Sequence, residues 1–519
     1  MRPKGSFIVF AVLMAACVAL FVAAFAWPAI AITLDAALAG KAPDDGWTFS
    51  HRQWALLGKS LLLAGLASLL CLAVSLPAAC AMGKSGRITG RPMLLAALMA
   101  LLLCPPMVYA FGWERIWPTQ TGESARLLST ARCVVVWALW SWPVPAAIIG
   151  IGFARTGKEA YQAALLDTSL PKALLHITAP LMLRYVTISA LILLVLFLGE
   201  YGVPHACGLT VFATELLGRA TDSSFAIDTV WPSILPTVAI LVGLSGLCLL
   251  WRWRGTHERS PRMHADERPL SRVLLGIVWA IVALSLVFPV AVLIANLKPT
   301  GAFAESLNTY WREMLGSLGI AAAAGLAAAG MGIALFAVRR LGIVALVVAL
   351  VFGAIPGALI GKSLVIAYLP QAFGFIYDTW LTLAISHVSR FGWIGLLAAY
   401  LIVRSTPPDL VAQARTDGAS RAGVIGRIQL PMHWPIPICA SAVIAALSMS
   451  EVASSTLVRI PQINLVAHII IEKFHRLEDG MLISLSLSLV GVGFVVAGIL
   501  SFTTRAKTDG LRSGPYALL

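Results

Sequence analysis

About twelve stretches of this chain stay apolar over the roughly 18–20 residues that a helix needs to cross the hydrocarbon core of a bilayer. They fall at 7–32, 55–82, 93–112, 128–153, 184–206 and 229–251, then at 273–297, 314–338, 342–368, 380–403, 435–458 and 481–503. No soluble fold of 519 residues can hide so many, because a globule must cover its surface with polar groups. Here 59% of residues are hydrophobic and only 12% are charged. Membrane β-strands would alternate apolar and polar positions, and these runs are uniformly apolar. The expected fold is an all-α polytopic membrane protein with about twelve transmembrane helices.

The net charge of +14 would suggest nucleic acid in a soluble protein. Here Arg and Lys sit in short loops between apolar runs, as the positive-inside bias predicts for a membrane protein, so lipid and not nucleic acid is the expected surroundings. The polar segment WRWRGTHERSPRMHADERPLSR (251–272) carries six arginines and reads as a cytoplasmic linker between two six-helix halves. The expected organisation is a first half at 1–252, a linker at 253–272, a second half at 273–504 and a tail at 505–519, with both termini cytoplasmic. The loops at 84–91 and 155–172 and the pair Arg339-Arg340 then also face the cytoplasm. The loops at 35–52, 113–126, 207–228, 298–312 and 460–478 face outward. The run after MRPKGS is too long for a cleaved signal and reads as a retained first span. Eight cysteines are scattered singly with no CxxC pair, which supports neither a metal site nor a disulfide framework.

The halves share landmarks. Thr156 and Glu159 in the first half, and Thr406 and Asp409 in the second, fit a helix-start pattern in which the hydroxyl caps free N–H groups and the acid answers the helix dipole. These pairs are 250 residues apart, as are Asp167 and Asp417; Pro180 and Pro431 are 251 apart, as are Glu200 and Glu451. A shared offset across five landmarks, with one single-residue gap, points to a duplicated and fused helix bundle.

Through two of the second-half landmarks, Asp417 and Pro431, runs QARTDGASRAGVIGRIQLP (413–431), a polar stretch in a greasy chain. It reads as a short helix at about 407–416, a turn at Gly418 where a left-handed conformation carries no Cβ penalty, and a second short helix from Ser420 to Ile428, stopped before Pro431. Two short helices on a glycine turn make an elbow on the cytoplasmic face that another protein can grip.

This stretch resembles the EAA loop of permease subunits in binding-protein-dependent (type I) ABC importers. Ala412, Gln413 and Ala414 stand at the EAA positions, Gly418 and Ala419 at the family's Gly-Ala, and Ile428, Leu430 and Pro431 at its close. QAALLDTSLPKALLHITAP (162–180) repeats it more loosely. There Gln162, Ala163 and Ala164 stand at EAA, Asp167 precedes Thr168 at the glycine position, and Ile177, Ala179 and Pro180 close it. The family's first acid is replaced in both loops. A β-branched threonine resists positive φ, so the first elbow is expected to turn differently and the two to dock unequally. FLGEYGVP (197–204) and SEVASSTLV (450–458) further resemble the ferric-iron and thiamine permeases of that superfamily.

The resemblance implies a transport subunit and not an enzyme. Each elbow would sit on one member of an ABC ATPase dimer at the cytoplasmic face, and a periplasmic substrate-binding protein would deliver substrate outside. The cell location would be a bacterial inner membrane. ATP would bind the partner ATPase, with no cofactor on this chain. Ferric iron is the first substrate it suggests, with thiamine, a polyamine or a phosphonate as alternatives. A secondary transporter built from two six-span repeats remains a rival in another class. A membrane-embedded enzyme would need clustered His, Asp or Glu near one face, and the sequence offers none.

Other residues stand out. PGALIGKS (356–363) nearly reads as a phosphate-binding loop, but Pro356 replaces the first glycine and the segment lies inside an apolar span. Glu200 and Glu451 lie near the outward ends of the fifth and eleventh spans, where an acid is costly and a place on the translocation pathway is a reasonable expectation. His387 and Arg390 share a helix face within the tenth span or, if that span starts later, lie at the outer surface. Arg390 corresponds to a position near Trp140, so the charge itself is not repeated. The glutamates suggest a cationic substrate and Arg390 an anionic one. WALWSWP (137–143) is expected to pack or to anchor at the interface, and GIAAAAGLAAAGMGIA (319–334) to allow close helix packing.

Overall fold

The computed structural model describes residues 4–38, 51–83, 91–118, 125–155, 169, 172, 179–220, 242–243, 272–298, 301–460 and 462–513. All regular structure among them is helical. Among the described residues seven helices are long and apolar enough to cross a membrane, and four bent pairs would each add a span. The chain is a multi-pass α-helical membrane protein. Nearly all of the expected span at 229–251, the linker at 253–271 and the end of the tail lie outside the described residues.

Two runs read as single spans, 93–112 and 342–368, are sharply broken. Helices Ala96–Leu103 and Pro106–Ile116 meet at 94°, and Arg339–Ala354 and Gly357–Tyr368 at 113°. The breaks fall at Cys104-Pro105-Pro106 and Ile355-Pro356-Gly357. A proline removes a backbone donor and pushes the residue before it out of the helical region; Ile355 is accordingly extended, at φ −70° and ψ 140°. Two other expected spans end early. The helix from Ala179 stops at Gly199 and the helix from Pro435 at Met449, each immediately or almost immediately before a glutamate. The eighth expected span begins twelve residues sooner than read, at Ala302.

Among the described residues three helices contain a single wide turn of five residues, at Val22–Ala26, Ala283–Val287 and Ile425–Gln429. In each the residue after the turn donates its N–H five residues back, to Val22 O, Ala283 O or Ile425 O. In each a proline comes next: Pro28, Pro289 and Pro431. The wider turn makes room for a ring that would otherwise clash with the carbonyl four residues earlier. Carbonyls left free this way find side chains. Ala24 O accepts from the Ser389 hydroxyl at 2.6 Å, and Ala23 O from the Tyr368 hydroxyl at 2.7 Å.

The helices group into two compact units that do not follow chain order. One gathers the helices of 4–38 with those between Ala302 and the C-terminal end. Its centre is Ala302–Phe336, which packs along Trp380–Ser405 and Pro435–Met449. Small residues allow the approach: a Cβ on Gly332 would collide with the backbone of Gly395. The other unit gathers the helices between His51 and Ala206 with those of 272–295. There His51–Gly83 packs along Pro143–Arg155, Ala125–Ser141 and Ala179–Gly199. The tryptophans of WALWSWP are interior, not interfacial: Trp137, Trp140 and Trp142 are all buried, and Trp142 Nε1 donates to Ser285 Oγ at 3.2 Å.

Candidate functional site

The elbow of the second half lies between helix Trp380–Ser405 and helix Pro435–Met449. Its first helix is Pro408–Thr416, and none of its residues is buried. Ala412 and Gln413 are exposed and Ala414 is partly exposed. Thr406 does not cap it. The Thr406 hydroxyl donates at 2.8 Å to Ile402 O, closing the helix before, and Pro407 stands at the N-cap with no side-chain bond. The expected capping role fails because the hydroxyl meets a spent helix end first.

Gly418 turns the chain, with φ at +82°. Its N–H donates to Arg415 O at 3.0 Å and the Ala419 N–H to Ala414 O at 2.9 Å, the paired bonds of a left-handed helix stop. Asp417 is exposed beside it. Ser420 then caps the second helix, its hydroxyl oxygen accepting from the Gly423 N–H at 3.1 Å. That helix does not stop before Pro431. It runs through its wide turn to His433 and bends by 75° into Pro435–Met449. Ile428 and Leu430 are half-buried and Pro431 is exposed. Gln429 and Leu430 line a small cleft with Ile333, Phe336, Ile402 and Val403. The second arm is thus anchored on the bundle and the first stands free. In the first-half elbow Gln162, Ala163, Ala164, Asp167, Thr168 and Ile177 lie outside the described residues. Pro180 is exposed in the first turn of Ala179–Gly199.

Glu200 and Glu451 each mark a corner where a helix ends and the chain continues as a short turn or helix. Glu200 accepts from the Gly202 N–H, from the Val203 N–H at 3.0 Å, and from Trp137 Nε1 at 2.9 Å. Glu451 accepts from the Ser454 N–H at 2.9 Å and faces Arg390 Nε at 3.8 Å. Each carboxylate therefore holds the start of the segment that follows it. Trp140 Nε1 donates at 3.0 Å to Cys104 O, at the first proline break. Arg390 Nη1 donates to Gly353 O at 3.3 Å and to Ile355 O, at the second. Charge is not repeated between Trp140 and Arg390, but the bond to the broken helix end is.

His387 and Arg390 lie inside helix Trp380–Ser405, and His387 is buried. Beside it Ser386 Oγ donates to Ser454 Oγ at 3.1 Å, while His468 Nε2 meets Ser455 Oγ at 3.0 Å. His468 belongs to helix Val466–His475, which is not among the membrane-crossing candidates. Burial, with Arg459 nearby, pushes its pKa down to about 4. Among the described residues no three His, Cys, Asp or Glu side chains gather as a metal would require.

PGALIGKS owes its glycines to packing. A Cβ on Gly357 would lie 2.8 Å from Glu451 Oε1, and one on Gly361 would lie 2.7 Å from Ser454 O. Arg132, which no sequence motif singles out, is buried within helix Ala125–Ser141 and bonds Trp117 O at 2.8 Å and Ala206 O at 3.2 Å. A lone arginine in an apolar run was the available signal. Neither the models of known protein families nor the curated protein sequences contain a match to this chain.

Proposed function

We propose that the chain is the fused permease subunit of a binding-protein-dependent ABC importer, with two repeated six-helix halves in a bacterial inner membrane and both termini in the cytoplasm. The observation that carries this reading is the second elbow: an unburied helix, Pro408–Thr416, hinged at Gly418 on an anchored second arm. An exposed arm on a fixed base suits docking by another protein, and the motif it carries resembles the loop that ABC ATPases grip. The elbow at 156–180 completes the pair. A nucleotide-driven ATPase dimer draws the two elbows together, and the bundles carry that movement to a pathway that receives substrate from a periplasmic binding protein. The chain itself forms the pathway and does no covalent chemistry. Ferric iron is the proposed substrate, with thiamine, a polyamine and a phosphonate as the compounds to compete against it.

Gly418→Val tests the coupling. Valine at φ +82° strains the turn by about 1–2 kcal/mol or more. The variant is expected to insert in the membrane normally, to lose ATP-driven uptake in vesicles and to lose co-purification with its ATPase. Normal uptake by the variant would sink the reading. Uptake by the unaltered chain that follows an ion gradient without ATP would assign it to secondary transport instead.

A further inference from the structure

We infer that two contacts decide which helix bundle accepts which leading segment: Phe25 against Gly392, and Ser285-Leu286 against Trp142. The leading segments, 4–38 and 272–295, match at an offset of 261. That offset sets Ala24 on Ser285, Phe25 on Leu286 and Pro28 on Pro289. Each segment has its wide turn at this point. Segment 4–38 belongs to the unit of the later helices and packs on Ala302–Phe336, Gly357–Tyr368 and Trp380–Ser405. Segment 272–295 belongs to the unit of the earlier helices and packs on His51–Gly83 and Pro106–Ile116.

The two joints distribute volume in opposite ways. In the first the leading segment supplies the ring and the bundle supplies the space. Phe25 is fully buried and meets Phe352 edge-on, with ring centroids 5.4 Å apart. A Cβ on Gly392 would stand 3.0 Å from Phe25 Cζ, closer than a real Cβ sits. In the second joint the bundle supplies the ring. At the offset of 250 already seen for Trp140 and Arg390, Gly392 falls on Trp142. Trp142 is fully buried, and the segment opposite presents the smaller Ser285. Each bundle also donates one hydrogen bond to the same position of its segment. Ser389 Oγ donates to Ala24 O at 2.6 Å, and Trp142 Nε1 donates to Ser285 Oγ at 3.2 Å.

Neither combination survives exchange. Phe25 facing Trp142 would put two rings where one fits, and the indole N–H would face Ala24, which has no hydroxyl. Leu286 facing Gly392 would leave part of a ring's volume empty. Overpacking and cavities both destabilise a packed interior. A repulsive mismatch of this kind is how an assembly rejects a near-identical partner. Each half is thereby barred from seating its leading segment on its own bundle, or on that of a second copy of itself. The comparison of the two joints rests on the repeat proposed above. Each joint is tested within its own unit and without measuring uptake, so failure of this inference leaves that reading standing.

The experiment uses full-length variants purified in detergent, read by size exclusion and by the thermal unfolding midpoint. Gly392→Trp is expected to lose the monodisperse peak, because Phe25 already fills the space. Adding Ala24→Ser and Phe25→Leu, which copies the second joint onto the first, should bring the peak back. In the other unit Ser285→Ala with Leu286→Phe should lower the midpoint, and adding Trp142→Gly should raise it again. Gly392→Trp that stays monodisperse with a wild-type midpoint would overturn the proposal. So would failure of the compensating change to recover the protein at either joint.

Discussion

The Glu200 corner and the Glu451 corner do the same job with different chemistry. In both, a carboxylate at the end of a helix accepts from backbone N–H groups of the segment after it. In both, a side chain from a neighbouring helix donates to a carbonyl left open by a proline break. The first corner divides the donor work between two tryptophans: Trp137 serves the carboxylate and Trp140 the carbonyl. The second gives both tasks to Arg390. What matches between the corners is therefore the set of bonds the backbone needs filled, not the identity of the residues that fill them. An unpaired carbonyl or carboxylate away from water is costly whichever donor once served it.

That equivalence can be broken most severely at Arg390. Arg390→Met keeps much of the stem but strips Ile355 O and Glu451 of one shared donor. Removing one member of a largely buried ion pair costs about 3–5 kcal/mol, so a large fall in the thermal unfolding midpoint in detergent is expected. Trp137→Phe and Trp140→Phe keep a ring and lose one N–H each, at about 1 kcal/mol apiece. If Arg390→Met proved no worse than either phenylalanine variant, the single-residue account of the second corner would be wrong.

The glycines sharpen the comparison. Gly202 lies in the segment after Glu200, and a Cβ there would stand 2.9 Å from Met107 Cβ. At the second corner the matching residue is Ala453, and the glycine is on the other side, at Gly357, where a Cβ would stand 3.0 Å from Ala453 Cβ. The joint admits one missing side chain and takes it from opposite partners. Gly357→Ala should cost about 1–3 kcal/mol by overpacking. Adding Ala453→Gly should restore part of it, because the room is shared. Unfolding midpoints of the single and double variants decide this, and a double variant as unstable as the sum of its parts would count against the shared space.

The smallest effect concerns pH. The second corner is buttressed by a histidine, through Ser455. With its folded pKa lowered to about 4, His468 stays neutral in the fold while an unfolded histidine gains a proton below about 6.5. Its stabilising contribution is thus complete above about pH 6.5 and declines as pH falls toward 4, by about 1.4 kcal/mol per unit. His468→Gln should flatten this part of the stability profile. An unchanged slope between pH 6.5 and 5 in the variant would exclude this histidine as its source.

Some of this was legible in the sequence and some was not, for physical reasons. Membrane crossing follows from run length alone, since lipid tests little else. The Gly418 turn was readable because a lone glycine between polar helices has few other uses. The corners were half readable: the glutamates stood out, but the runs 184–206 and 435–458 gave no sign that their helices end at Gly199 and Met449. Apolar residues after a helix end count the same as those within it. The bends at Pro105 and Pro356 and the wide turns before Pro28, Pro289 and Pro431 were signalled by those prolines. Hydropathy averages over them. Which helices share a unit was not legible, because an apolar face does not encode its neighbour.

The wide turn at Val22–Ala26 has one more consequence. A uniformly greasy rod among other greasy rods is free to slide and to spin, because each step trades one hydrocarbon contact for another. The rod formed by 4–38 is not uniform. Two acceptors protrude at Ala23 and Ala24, met by Tyr368 and Ser389, and one ring further on Trp27 Nε1 reaches Ala367 O at 3.0 Å. Moving by even one residue would strand all three at once. A proline that spoils one turn of the rod has thereby indexed its depth and its rotation, as a notch indexes a key.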